Sequence, residues 1–184
     1  EVYRTLGISM ALVVLVIYLF LGNIRATLVP AVTVPVALVG SFMFLLAMGY
    51  SINLLTLLAL VLAIGLVVDD AIVMLENIHR RIELGEPPLL AAFRGAREVG
   101  FAIIATTLVL IAVFVPLVFM DGRIGALFTE FAMAVSAAVF FSSITALTLS
   151  PALCSKVLKA SEKESKFSQW MDRTFNKIEN AYRN

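Results

Sequence analysis

The chain has 184 residues, of which 61% are hydrophobic and 15% charged, whereas a typical soluble domain has roughly 45–50% apolar residues. This composition predicts a membrane protein. The formal net charge of +1 argues against nucleic acid as a partner, and the single cysteine, Cys154, excludes a disulfide within the chain. Glu1 opens no signal-peptide pattern, so we expect the chain to be a piece of a longer protein.

Charge-free runs long enough to cross a bilayer occur five times. A helix rises about 1.5 Å per residue, so about 20 apolar residues cover the hydrocarbon core. The runs predict an all-α membrane protein, with a bundle of five transmembrane helices over residues 1–158, at about 5–22, 28–48, 52–77, 99–120 and 128–153. Glycine and polar residues predict the breaks between these spans at Gly22-Asn23, at Gly49-Tyr50-Ser51, after Gly85 and at Asp121-Gly122-Arg123.

Two amphipathic segments are predicted outside the spans. Pro88 opens the first, a short helix expected along the membrane interface, whose apolar face opposes two arginines: Leu89, Leu90, Phe93 and Ala96 against Arg94 and Arg97. Residues 159–184 form the second, in which apolar side chains recur at steps of three and four: Phe167, Trp170, Met171, Phe175, Ile178 and Tyr182. Such a helix either lies in the inner-leaflet interface of the bilayer or packs beneath the bundle.

Basic residues are divided unevenly between the two ends of the predicted bundle. Arg4 and Arg123 lie on the side of Glu1, and the remaining twelve Lys and Arg residues lie on the other side. Because basic residues near span ends favour the cytoplasm, this pattern predicts a cytoplasmic end that includes Asn184 and an outer, periplasmic location for Glu1.

Two adjacent aspartates interrupt the apolar third span, in the segment LAIGLVVDDAIVM. An aspartate at the centre of a transmembrane helix costs about 2.5–3.5 kcal/mol, and such residues are usually functional. If Asp69 and Asp70 were both ionised about 6 Å apart, their repulsion at an effective dielectric constant near 20 would be roughly 3 kcal/mol. Desolvation acts in the same direction. We therefore expect at least one protonated carboxyl at neutral pH, with the two titrating as a coupled pair that can carry protons.

Partners for the pair are sparse in the sequence. No Lys, Arg or His occurs inside any predicted span, so a compensating cation must come from outside this chain. Glu76 and Asn77, seven residues beyond Asp69 and Asp70, are possible polar neighbours on the same helix faces. Four hydroxyls either bond the aspartates or bond back to their own helices: Thr106, Thr107, Ser136 and Ser143. Four small residues are expected to let a neighbouring helix approach closely: Ala59, Ala63, Gly65 and Ala71.

Other chemistry fits these residues less well. Glu76 and His79 have the Glu-x-x-His spacing of di-iron bundles, but one such motif with one histidine does not make a metal site. Adjacent aspartates on a continuous helix point apart, which disfavours a protease dyad that shares a water. A channel selectivity ring would need oligomeric symmetry. Helix assembly alone, without transport, remains open.

Several segments resemble resistance-nodulation-division efflux pumps, in the same order along the chain. NLLTLLALVLAIGLVVDDAIVMLENIHRR resembles the fourth transmembrane helix of that family, and YLFLGNIRATLVPAVTVPVALVGSF the second and third. LVLIAVFVPLVFMDGRIGALFTEFA resembles the fifth helix and its following loop, and LTLSPALCSKVL the end of the sixth. The nearest branch by resemblance is the AcrB-type exporters of hydrophobic and amphiphilic compounds.

The resemblance implies a proton-driven drug antiporter of the bacterial inner membrane, in which Asp69 and Asp70 take up and release protons. Protons would be the coupling ion, with no cofactor, metal or hydrolytic activity, and drugs would pass through periplasmic porter segments outside this chain. The resemblance also implies a homotrimer that joins a periplasmic adaptor and an outer-membrane channel. A first helix and a second half, absent here, would supply a lysine and other polar partners of the pair. The alternatives are a relative that exports lipid or protein, and a non-transporting assembly module.

Overall fold

The computed structural model describes residues 2–158, and all the secondary structure within them is helical. Five helices follow one another, α1 (Val2–Leu21), α2 (Ile24–Ala47), α3 (Leu54–Glu83), α4 (Pro88–Val118) and α5 (Gly122–Val157). The prediction of an all-α bundle is confirmed for this part of the chain. The amphipathic helix predicted for residues 159–184 lies outside the described residues.

Each predicted span overlaps one of these helices. Helices α2, α3, α4 and α5 are long and apolar enough to cross a membrane, and the apolar part of α1 is the shorter stretch Gly7–Leu19. The chain is therefore a multi-pass membrane protein by length and composition. The exact membrane boundaries of the spans stay predictions.

Local sequence explains where the helices begin and end. The Asn23 side chain accepts a hydrogen bond from the Arg25 amide at 2.9 Å and so caps α2. Asn53 and Thr56 form a reciprocal capping box at the start of α3. Gly85 ends the α3 region with a φ of 92°, a backbone conformation that favours glycine.

Helix α3 is the centre of the bundle. It packs against each of the other four helices, and its contact with α5 is the most extensive. Ala59, Ala63 and Ala71 are fully or almost fully buried, which confirms the prediction that these small residues permit close packing. Gly65 instead faces outward, and no neighbouring atom lies within 4 Å of the position that a Cβ would take.

The short interfacial helix predicted from Pro88 is wrong as a separate element. Residues 88–97 are the beginning of α4, which continues without a break to Val118. Its inward face consists of small residues, Ala91, Ala92 and Gly95, whereas the predicted apolar face, including Leu89 and Phe93, is exposed. No breaker separates the two segments, because the one glycine at the junction, Gly100, is tolerated in the helix and packs towards α5.

Candidate functional site

The two aspartates lie in the interior of α3, where the helix is surrounded by apolar segments. Asp70 follows the first residue of the helix by sixteen positions, or about 24 Å along the axis. Adjacent helix residues are turned about 100° apart, so the two carboxyls have different surroundings. Asp70 is partly buried towards α5, and Asp69 is exposed.

Ser142 of α5 is the partner of Asp70. Its hydroxyl lies 2.9 Å from Asp70 Oδ2 and 3.1 Å from the main-chain oxygen of Val67, one turn earlier on α3. The Ser142 side chain is 1% exposed, so water does not compete for these bonds. This contact joins the site to α5 across more than 70 positions of sequence.

Sequence reasoning missed Ser142 and named other hydroxyls. Thr106 bonds the oxygens of Ala102 and Ile103, and Ser143 bonds that of Phe140, all on their own helices. Thr107 is buried, and its hydroxyl has no hydrogen-bond partner within the described part of the chain. Hydroxyl bonding back to the same helix therefore accounts for Thr106 and Ser143.

A sequence signal for Ser142 does exist in α5. Small residues recur there at every fourth position, and all of them are buried: Ala134, Ala138, Ser142, Ala146 and Ser150. Such a stripe marks the helix face that approaches a neighbouring backbone most closely. A serine within it is the α5 hydroxyl best placed to reach α3.

Asp69 belongs to an exposed stripe that runs the length of α3. The stripe follows helical spacing, and every member is exposed: Leu54, Leu58, Leu62, Gly65, Asp69, Val73, Glu76, Arg80 and Glu83. Neither a hydrogen bond nor an ion pair to Asp69 occurs within residues 2–158. We call this surface the α3 stripe.

Asn77 and Glu76 are not brought to the aspartates. Glu76 lies on the α3 stripe, and Asn77 is buried against α4, where its amide donates to the Gly95 oxygen and to Glu98 Oε2, each at 3.0 Å. The Asn77 oxygen accepts a hydrogen bond from Arg80 at 2.9 Å. Asn77 therefore joins α3 to α4 at the arginine-rich end of the bundle.

Charged residues of α3, α4 and the turn between them meet at this end, in a group that we call the α3–α4 charge cluster: Arg80, Arg81, Glu86, Arg94 and Glu98. Arg81 bonds Glu86 at 2.9 Å and Glu98 at 3.0 Å. Glu98 precedes the predicted fourth span, and the hydrogen bond from Asn77, followed by that from Arg81, lowers its pKa below the ordinary value. These bonds favour the ionised form of the Glu98 carboxyl.

The metal reading gains no support from the geometry. His79 Nδ1 lies 3.3 Å from Glu83 Oε1, in a pairing along the exposed surface of α3. Over residues 2–158, the side chains that could ligate a metal ion do not assemble in groups of three or more.

A third polar contact lies at the opposite end of α3. The Asn53 amide, which belongs to the residue that caps α3, hydrogen-bonds the Glu130 carboxylate of α5, and the Ser51 hydroxyl lies 3.4 Å from the same oxygen. A carboxylate near the start of a helix also interacts favourably with the helix dipole. This contact anchors the end of α3 that lies far from the charge cluster.

Taken together, these contacts leave Asp70 with a hydroxyl neighbour and no cation. Each ion pair that two described residues form with one another lies at the arginine-rich end, around the cluster and His79. A carboxyl in an apolar setting that meets a hydroxyl can exist in either protonation state, whereas a carboxyl paired with arginine stays ionised. This contact makes Asp70 a candidate site for binding a proton.

A family profile and a known protein each match all or nearly all of this chain. A sequence profile of the AcrB/AcrD/AcrF family matches residues 1–184, the whole chain. A protein of Haemophilus influenzae, named an uncharacterized transporter, is 47% identical over 182 residues, which are 99% of this chain and 18% of that relative. The chain thus spans less than a fifth of the length of that relative.

Proposed function

The chain belongs to the AcrB/AcrD/AcrF family of resistance-nodulation-division permeases, and from this premise we propose that it is part of the proton-translocating domain of a proton/drug antiporter. Family membership supports a transporter rather than a hydrolase. In the proposal, Asp69 and Asp70 bind and release the coupling protons, and no further cofactor takes part.

The observation that carries this proposal is the hydrogen bond between Asp70 and Ser142 inside an apolar helix pair. An acid buried only for assembly would be expected to find several donors or a cation, because an unpaired buried charge is costly. Asp70 has one neutral hydroxyl. Its surroundings favour a group that gains and loses a proton.

Asp69 supports the proposal in a different way. It lies in the middle of the α3 stripe, which no other described helix covers. We infer that the second half of the transporter lies against this stripe and supplies a cation to the pair, as the resemblance to efflux pumps implies. Protonation of the pair would then release that cation and allow the helices to shift.

The membrane potential would drive this cycle. One proton that crosses the full potential contributes about 2.3 kcal/mol per 100 mV. Asp70 would hold the proton at an intermediate depth, where protonation and helix movement can be coupled. Transporters commonly bind their coupling ions in this way, between helices near the middle of the membrane.

The wider setting belongs to the same proposal. Hydrophobic or amphiphilic compounds would be exported through segments outside this chain. The whole protein would be a homotrimer in the inner membrane, with Glu1 on the periplasmic side, together with a periplasmic adaptor and an outer-membrane channel. Membership of the family supports partnership with other pump components in general.

Proton flux in reconstituted vesicles tests the proposal. The whole gene product that contains this chain is placed in liposomes with a pH gradient, and drug-stimulated proton movement is recorded for the wild type, Asp69→Asn and Asp70→Asn. We expect each substitution to abolish the flux, because asparagine has nearly the same shape and cannot take up a proton. Asp121→Asn, in the exposed turn before α5, is the matched control and should keep the flux.

The same experiment separates the main alternatives. Flux that survives both substitutions would overturn the proton relay and leave helix pairing as the role of the acids. Flux that needs both acids but responds to lipid or a protein substrate instead of drugs would support the proton relay and show that the exported substrate is not a drug.

A further inference from the structure

The Ser142 hydroxyl has one proton and two acceptors within reach. It lies 2.9 Å from Asp70 Oδ2 and 3.1 Å from the Val67 oxygen, and both distances are normal for hydrogen bonds. A hydroxyl donates a single hydrogen bond but can accept others. Ser142 can therefore donate to one of the two oxygens at a time.

The two choices correspond to the two protonation states of Asp70. When Asp70 is ionised, Ser142 donates to the carboxylate. When Asp70 is protonated, the new carboxyl O–H can donate to Ser142 Oγ, and the Ser142 hydrogen is free to turn towards Val67. A main-chain oxygen has two lone pairs, so Val67 can accept this bond in addition to its helical one.

We propose that Ser142 is a positioning residue that satisfies Asp70 in both protonation states by rotating its hydroxyl between Asp70 and Val67. The inference rests on the proposed function, in which Asp70 carries a proton. Only one proton is added or removed, at the Asp70 carboxyl, and the Ser142 O–H bond is never broken. Ser142 thus holds the Asp70 carboxyl in place and does not itself carry the proton.

The surroundings of Asp70 leave few other groups for this role. Asp69 is its acidic neighbour on α3, and the described charged residues of the other four helices lie towards their ends: Arg4, Arg25, Arg94, Arg97, Glu98, Arg123, Glu130 and Lys156. A partner that can only donate would leave the O–H of the protonated carboxyl without an acceptor, and a hydroxyl with no second acceptor would then leave its own hydrogen unpaired; either loss is costly in an apolar setting. The rotating hydroxyl removes this penalty without any movement of the helices.

The adjacent serine provides a built-in comparison. Ser143 is also buried, at 6% exposure, but its hydroxyl lies 2.9 Å from the Phe140 oxygen of its own helix. It contacts neither aspartate through a hydrogen bond. Removing the two hydroxyls one at a time therefore changes the same kind of atom at neighbouring buried positions, and only one of them is next to Asp70.

Infrared difference spectroscopy on the whole gene product in liposomes gives a direct readout. Spectra at low and high pH are subtracted, and the carboxyl band that disappears in Asp70→Asn is assigned to protonated Asp70. In Ser142→Ala we expect this band to move to higher frequency, as for a carboxyl that has lost a hydrogen bond. In Ser142→Cys, which has similar volume and a weak donor, the band should lie between those of Ser142→Ala and the wild type.

Transport should follow the same order. Ser142→Ala is expected to lower the proton-coupled rate by about tenfold, the effect of losing a hydrogen bond to a charged group, and Ser142→Cys by less. Ser143→Ala should leave both the band and the rate unchanged. Ser142 belongs to the small stripe of α5, in which alanine is already the commonest residue, and Ser143→Ala removes only a hydroxyl that bonds its own helix, so neither alanine variant is expected to disturb folding.

These measurements distinguish a failure of the role proposed for Ser142 from a failure of the proposed function. If no carboxyl band depends on Asp70, the proton relay is wrong. If the band depends on Asp70 but lies at the same frequency in Ser142→Ala and Ser143→Ala, the relay stands and the role of Ser142 is overturned.

Discussion

Two of the polar contacts between helix α3 and its neighbours differ in the partners that they offer to a carboxyl. In the interior, Asp70 meets one neutral hydroxyl, that of Ser142. Seven residues towards the arginine-rich end, Asn77 hydrogen-bonds Glu98 of α4, which also lies 3.0 Å from Arg81. One carboxyl has no cation within the described residues, and the other has an arginine and an amide.

This difference separates the proposed proton site from a carboxylate that joins two helices. Arginine remains charged under all ordinary conditions, so near neutral pH a carboxylate bonded to it is ionised and joins the two helices. A hydroxyl can serve a carboxyl in either state. The type of partner, more than burial, distinguishes the proposed proton site from the cluster that joins α3 to α4.

The sharpest test neutralises one acid at each of these contacts with an isosteric amide. We expect Asp70→Asn to lose export of a fluorescent amphiphilic compound from cells entirely, because the proton site is gone. Glu98→Gln should retain most export, since it removes only a fixed charge outside the proposed relay. Export is compared at equal amounts of protein in the membrane, and similar losses in both variants would remove the distinction between the two contacts.

A second test concerns the close contact that supports the charge cluster. A Cβ added at Gly95 would lie 2.8 Å from Ile78 Cγ1 and 3.3 Å from Ile78 Cα, so Gly95→Ala should force α3 and α4 apart at a cost of about 1–3 kcal/mol. Gly100→Ala, on the same helix, meets only Leu147 Cδ2 at 3.4 Å and should be tolerated. Thermal unfolding in detergent measures both, and equal melting temperatures for the two variants would contradict the packing argument.

The smallest expected effect is a pH dependence of the cluster. The pKa of Glu98 lies below its ordinary value of 4.5 because Asn77 and Arg81 bond the ionised form. Its contribution to stability is therefore present above the ordinary value and is lost as the pH falls through the lowered pKa. Between pH 5 and pH 3, the melting temperature of the wild type should fall more steeply than that of Glu98→Gln.

High salt provides an additional check on this pH effect. The cluster is partly exposed, and about 1 M salt shortens the screening length to roughly 3 Å, so the difference between the two proteins should shrink. Parallel pH curves at low salt would show that Glu98 contributes no ionisation-dependent stability.

Much of the fold follows from patterns that are local in sequence. Charge-free runs predicted the five helices, and the glycine and asparagine breaks predicted the turns, because chain length across a bilayer and helix capping depend on neighbouring residues. The prediction of a separate interfacial helix at Pro88 was wrong, because local hydrophobic spacing does not show whether one helix continues into the next. Hydrophobic spacing indicates which residues share a face but does not show whether that face meets lipid or protein.

The candidate site also has features that the sequence determines and features that only the packing of the helices determines. The sequence by itself determined that two acids interrupt an apolar segment and that no Lys, Arg or His lies inside the predicted spans, since both facts depend only on the order of residues. Tertiary structure decided that Asp70 meets Ser142, that Asp69 lies on the uncovered α3 stripe, and that Asn77 belongs to the charge cluster. These outcomes depend on how α3 rotates about its axis against α4 and α5, and that rotation is set by the packing of small residues distant in sequence.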